Sequence, residues 1–371
     1  MIASRSRKSP SGAAAAVTSP AGTGLAGFML AATLLLSTAA LAGEQERSVL
    51  ILTSTNSASG NDVAVFKLED AAGTAALPLA QTLPTGGLGG AGGNAGIVQF
   101  QDELGAVANY GSNTVSRLAR YGDDISVDGA IKLASGCVKP DSVALTEGHL
   151  FVVGASCAES HRWPSGINEG AVVHLTDPSA AQIAVGKTWA AVTQTSGSVL
   201  QLPLTDGRVL DGTSVAVTLP DTANNTPLGA AFWGDILGFD PAHSADSFAL
   251  VNAKREVFPV PGPTPAFPSN APCWVAKGPG NLWYAGNSPG HAISIFFSDG
   301  QGGAFYKSVP LPGVATDITV SHDGKWLAVI YAASGNGYVA LFSIDRFGDL
   351  TAVATSSPIG VAAFSGVAIS D

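Results

Sequence analysis

The chain has 371 residues, 46% of them hydrophobic, which is enough apolar material for a sizeable core and excludes a disordered chain. Glycine (45) and proline (22) are abundant while charged residues make up only 12%, which suits short strands joined by tight turns and excludes a fold of long surface helices. The net charge of −10, with no Lys/Arg cluster outside the extreme N-terminus, argues against a nucleic-acid partner.

In chain order, residues 1–42 read as a targeting segment. Arg5, Arg7 and Lys8 form a basic start, "GLAGFMLAATLLLSTAALA" (24–42) is an apolar helix-forming run, and Ala40-Leu41-Ala42 is a small-x-small cleavage pattern. Removal after Ala42 leaves a single domain, 43–371. The alternative is an uncleaved N-terminal anchor, because the run approaches the length of a membrane span. No second run of that length follows, so no span is expected after signal removal. The expected location is secreted or periplasmic.

Strand-like runs then recur at 49–55, 105–110, 149–155, 188–194, 246–253, 281–286 and 326–332. Removing 42 from 371 leaves 329 residues, or 47 for each of seven units, which is about the length of a four-stranded antiparallel blade. The last complete unit is the clearest. "ATDITVS" (315–321), "WLAVIYA" (326–332), "YVALFSI" (338–344) and "LTAVATS" (350–356) read as four strands. "HDGK", "SGNG" and "DRFG" read as the turns between them. The N-terminal unit offers three strands, "VLILTST", "DVAVFKL" and "ALPLAQT", and lacks an inner one. "GVAAFSGVAIS" (360–370) supplies a surplus inner strand at the other end. The expected fold is therefore an all-β, seven-bladed propeller, its ring closed by the C-terminal strand joining the N-terminal blade. A β-sandwich explains the many strands but neither the spacing nor the complementary ends.

Two places fit less well. Between "GAVVHLT" (170–176) and "TWAAVTQ" there is room for one good strand where two are wanted. The stretch "FPVPGPTPAFPSNAP" (258–272) is proline-rich, and an irregular or missing outer strand is expected at each of the two places. Residues 156–170 and 219–246 read as long rim loops, a usual place for binding surfaces. Of the three cysteines, Cys137 and Cys157 lie close in sequence and are the expected disulfide. Cys273 is left as a buried thiol.

The phrases "VANYGSNTVSRL", "VSHDGKWLAVIYAASGNGYVALFSIDRFGDL" and "VAVFKLEDAAG…LAQTLPTGG" resemble the lactonase-type seven-bladed propellers. That group includes 6-phosphogluconolactonases, 3-carboxymuconate cyclases and proteins with YVTN- and WD40-like repeats. The resemblance covers nearly all of 48–371 and rests mainly on turn residues. It implies a propeller, and an activity carried by His, Arg and Glu around the central channel. This sequence departs from that pattern. The places that match the enzymes' P-x-H phrase read "GNAGIVQF" (93–100), "KPDSVAL" (139–145) and "VATDITV" (314–320), and none holds a histidine.

Lactone opening needs a proton carrier near neutrality and a positive group for a carboxylate. The candidates for such chemistry lie in the long loops. His161, Arg162 and Glu159 are the candidate catalytic residues. Trp163, Trp233, Asp235 and His243 are the candidate ligand contacts, with Arg117 and Arg255 as further cations. Asp141 and Asp317, at equivalent starts of inner strands, are candidate ligands for calcium, the one cofactor considered. The competing role for each is to cap a turn. The expected function is an exported lactonase-like propeller that acts as a binding or interaction module. Its partner would be a small molecule, glycan or protein on the loop-rich face, and a monomer is expected. The alternative is a lactonase or cycloisomerase acting on a small carboxylated lactone.

Overall fold

A computed structural model describes residues 47–371 apart from 72, 91, 93–94, 221–225, 243–245, 263–270 and 361–363. The expected signal segment lies outside the described residues. Seven antiparallel sheets follow one another around a ring, each running from an inner to an outer strand.

The first blade is the one the two chain ends share. Its order is Ser365–Ser370, Leu50–Ser54, Asp62–Lys67 and Leu79–Pro84. Leu50 pairs with Ser370 and Leu52 with Ala368, so the C-terminal strand closes the ring as its sequence implied. Arg120, 2% exposed on the third strand of blade two (Thr114–Tyr121), fastens this junction. Its guanidinium donates to Ser370 O at 2.7 Å, Ser370 Oγ at 2.9 Å and Ser48 O at 2.6 Å.

Second strands such as Trp189–Gln194 and Leu282–Asn287 are buried at every position, because each blade is covered on both faces by its neighbours. Blades three and four meet through Phe151, Val153, Ile183, Val192 and Leu202. Blades five and six meet through Phe248, Trp283 and Phe296. The rings of Phe248 and Phe296 stack at 5.4 Å. Valine, isoleucine and aromatic residues fill these seams because they suit a pleated, two-sided interior.

Several expectations about the middle of the chain are corrected. The stretch 156–170 is not a rim loop. Cys157–Arg162 is the third strand of blade three, and the outer strand Ile167–His174 starts within the stretch. Likewise 219–246 contains the two inner strands of blade five, Ala230–Trp233 and Ile236–Phe239, joined at Gly234 and Asp235. Gly234 has φ of +64°, which the tight turn demands and which glycine adopts without strain. The run at 246–253 is therefore the third strand of its blade (Asp246–Val251), not the second. Between "GAVVHLT" and "TWAAVTQ" there is one strand, Ala180–Val185, as expected; the outer strand of blade three is not missing, because "GAVVH" itself belongs to it, in Ile167–His174. The proline-rich stretch supplies the outer strand Val257–Pro261, an edge position where a missing N–H costs little. The rest of that stretch, 263–270, lies outside the described residues.

Candidate functional site

Because strands alternate in direction, every blade places its first-to-second and third-to-fourth hairpins on one face of the ring. The second-to-third turns and the connections between blades lie on the other. The central channel runs between these two faces.

The channel wall is built from the inner strands, and five of them start with a β-bulge. That of blade one skips Gly366; in the other four the skipped positions are Asp141, Ala181, Cys273 and Thr316, and the residues after them are Ser142, Gln182, Trp274 and Asp317. A bulge re-aims the side chain that follows it. Here those side chains tie neighbouring blades together. Ile183 N donates to Ser142 Oγ at 3.3 Å, Ala230 N to Gln182 Oε1 at 2.6 Å, and Trp274 Nε1 to Ala315 O at 2.8 Å. Asp317 accepts at Oδ2 from Val367 N at 3.0 Å and Gly96 N at 3.4 Å, and at Oδ1 from Ile318 N at 2.8 Å. Burial outweighs these donors and pushes its carboxyl up to about 7.

The expected equivalence of Asp141 and Asp317 is thus corrected, since they sit one residue out of register across the bulge. The pair does not fit a calcium site, because the two carboxyl groups occupy unmatched positions and Asp317 already accepts three N–H groups. Among the described residues the one cluster of three potential ligand side chains is Cys137, Cys157 and Glu159. Its two sulfurs are bonded to each other, with the Cα atoms 5.5 Å apart. The channel cavity, about 200 Å³, is lined by backbone, small apolar residues and Gln99, Gln182 and Thr319. Among the described residues, Asp317 is the sole ionisable side chain in that lining.

The remaining candidates from the sequence are scattered over several places. Glu159 and His161, 0% and 1% exposed, are sealed in the third strand of blade three. His161 Nε2 lies 2.8 Å from Glu159 Oε1, its Nδ1 lies 3.1 Å from Gly166 O, and Glu159 Oε2 accepts from Ala134 N at 2.8 Å. Neither group reaches solvent. Trp233 and Asp235 stand on the hairpin face of blade five, where Asp235 Oδ1 accepts from Lys187 N and Thr188 N. Asp240 is at the opposite end of the same hairpin, on the other face of the ring. Burial raises the Asp240 carboxyl well above its ordinary value, and neither of its oxygens has a partner among the described residues. His243 lies outside the described residues. Arg117 donates to the carbonyls of Pro164 and Asp128 and so straps the turn after Trp163. Arg255 donates to Gln201 at 3.0 Å.

Arg162 and Trp163 do reach a cleft. On the hairpin face between blades three and four, an open groove of about 640 Å³ gathers them with His149, Glu169 and Arg208. His149 Nε2 is 3.2 Å from Glu169 Oε2, and Arg162 is bonded to Glu169 Oε1. Arg162 holds the Glu169 carboxyl below the usual carboxylate range. Arg208 is exposed and its guanidinium has no partner among the described residues. Three of these five residues were missed from the sequence. His149 and Glu169 carry no motif, and Arg208 sits in "TDGR", which reads only as a turn.

The same position between blades six and seven holds a second groove, of about 580 Å³, walled by Phe297, Tyr306 and Phe347. Between the two, at the inner edge of blade six, Lys277 lies 5.2 Å over the Trp233 ring and 5.4 Å over that of Trp283. Burial lowers its ammonium to about 8, and its protons go to the carbonyls of Gly278 and Gly280. Among the described residues no helix is long and apolar enough to cross a membrane.

No protein-family model and no curated protein matches this sequence. Solved structures do match in shape. A "putative 6-phosphogluconolactonase" from Bacteroides fragilis superposes with a TM-score of 0.62 at 12% identity, over 88% of this chain and 99% of its own. A protein from Lactobacillus plantarum gives 0.63 at 12% identity, again over 88% and 99%. Streptogramin B lyase gives 0.57 at 16% identity, over 74% of this chain and 87% of its own. At these identities the likeness is one of fold, and the fold shared with them is the seven-bladed β-propeller.

Proposed function

We propose that the chain is an exported, lactonase-like propeller that binds a small carboxylate-bearing ligand in the groove between blades three and four. The observation that carries this reading is the convergence of Arg162, Arg208, His149 and Glu169 on one open cleft. A guanidinium free of protein partners is matched to a carboxylate by its fork of N–H donors. The volume lies within the range of small-ligand clefts, roughly 300–1,000 Å³. The groove is favoured over the channel cavity as the carboxylate site, because among the described residues that cavity's lining offers a single carboxyl and no cation to hold an acid group. Export is supported by the leader-like residues 1–42 and by the Cys137–Cys157 bond, a pairing typical of oxidising compartments.

The test is a thermal-shift panel of small carboxylates and their neutral amides on residues 43–371, repeated with Arg208→Gln. Stabilisation by carboxylates alone, lost in the variant, is the expected result. Equal shifts from acids and amides would contradict it. Sequencing the mature N-terminus checks export separately.

A second reading, hydrolysis of a carboxylated lactone, is favoured by the His149–Glu169 pair beside two arginines. An imidazole 3.2 Å from a carboxylate is placed to take a proton from an attacking water while the arginines hold the acid group. Titration of released acid over a lactone panel, with His149→Ala as control, decides between the two.

A further inference from the structure

The groove between blades six and seven shares no residue with the one just described, and its chemistry differs. Phe297, Tyr306 and Phe347 are 39%, 44% and 60% exposed, a concentration of aromatic surface that a soluble chain seldom leaves open without use. Phe297 and Tyr306 meet at 5.1 Å with their planes inclined by 59°. The Arg346 guanidinium lies 4.5 Å over the Phe347 ring. Lys307 is paired with Asp349 at 2.7 Å, whereas Arg346 has no carboxylate partner among the described residues. Asn281 borders the same cleft, exposed, with an amide that both donates and accepts.

We propose that this groove binds an acidic oligosaccharide, a chain of pyranose rings bearing uronic-acid carboxylates. Three observations select that occupant. The site is concave and walled by a handful of side chains, far fewer than the roughly 20–30 residues a side of a stable protein interface. A pyranose turns a face of weakly positive C–H groups toward an aromatic stacking partner, and three partly exposed aromatic rings wall this groove. The rim of hydroxyls finds the Asn281 amide, and the carboxylate finds the Arg346 guanidinium, which has no carboxylate partner among the described residues. Stacking on Phe347 holds the guanidinium in place before the ligand arrives, which reduces the ordering cost on binding.

Calorimetric titration of the intact 43–371 protein tests this with a galacturonate tetrasaccharide, a neutral galactose tetrasaccharide and benzoate. The uronate is expected to bind, and the neutral sugar at least about tenfold more weakly. Arg346→Gln lowers the uronate affinity to that of the neutral sugar. Phe347→Ala and Tyr306→Ala weaken both sugars. Unchanged circular dichroism and melting temperature confirm that these exposed variants fold. Equal affinity for acidic and neutral sugars, binding of benzoate alone, no uronate binding, or an Arg346→Gln variant indistinguishable from wild type would each overturn the proposal.

Discussion

Glu159 and His161, two residues apart on one strand, are hydrogen-bonded at 2.8 Å in a site closed to solvent. Their second contacts go to Ala134 N and Gly166 O, so the pair stitches the linker before blade three to its outer hairpin. Removing one partner strands the other in the interior. His161→Ala is expected to cost about 3–5 kcal/mol in urea unfolding and to leave ligand binding at the blade three–four groove intact in the surviving folded fraction. A loss below about 1 kcal/mol would mean the pair contributes little to the fold.

The Cys137–Cys157 bond closes a loop spanning 20 positions in the same region. Loop-closure arguments give about 3 kcal/mol for a cross-link of that length. Reduction, or the double substitution Cys137→Ala/Cys157→Ala, is expected to lower the urea midpoint accordingly while far-ultraviolet dichroism stays that of a β protein. An unchanged midpoint would show that the bond adds nothing to stability.

Asp317 makes stability depend on pH in a direction opposite to that of most carboxylates. Its folded-state carboxyl is raised to about 7, while in the unfolded chain it ionises near the ordinary value, roughly 3.9. Below about pH 4 both states hold the proton and the group costs nothing. As pH rises toward 7 the unfolded chain gives up its proton first, so stability falls, by at most about 4 kcal/mol once both states have ionised. The melting temperature should therefore drop between pH 5 and pH 8 in the wild type, and that slope should flatten in Asp317→Asn. Parallel slopes in the two proteins would assign the pH dependence elsewhere.

Ring closure rests on strand pairing plus the three bonds of Arg120. Arg120→Met leaves Ser370 O and Ser48 O without this donor. Amide exchange should then accelerate in Leu50–Ser54 and Ser365–Ser370 more than in Leu282–Asn287, which lies two blades away. Uniform acceleration would show that Arg120 supports global stability only.

The repeat was legible because each blade repeats one physical problem, a strand buried on both faces between two tight turns. The complementary ends at 50–83 and 360–370 disclosed ring closure for the same reason. Blade five was obscured because "AAFWGDILGF" packs a four-residue strand, a turn and another four-residue strand into a glycine-rich stretch with prolines nearby. Short strands leave too little alternation to stand out from a loop. The sites were less legible. Strand pairing fixes neighbours only within a blade, whereas the groove residues Arg162 and Arg208 come from adjacent blades and meet only once the ring is built. His161 and Arg162 illustrate the loss. They are adjacent in sequence, and strand alternation sends one into the core and the other to solvent.

The most direct measurement of the central claim is a calorimetric titration of the best carboxylate from the thermal-shift panel into wild type, Arg208→Gln and Arg346→Gln. Binding by wild type and Arg346→Gln, with affinity lowered about tenfold or more in Arg208→Gln, is the predicted result. Equal affinity in wild type and Arg208→Gln would contradict it and remove the groove between blades three and four as the ligand site.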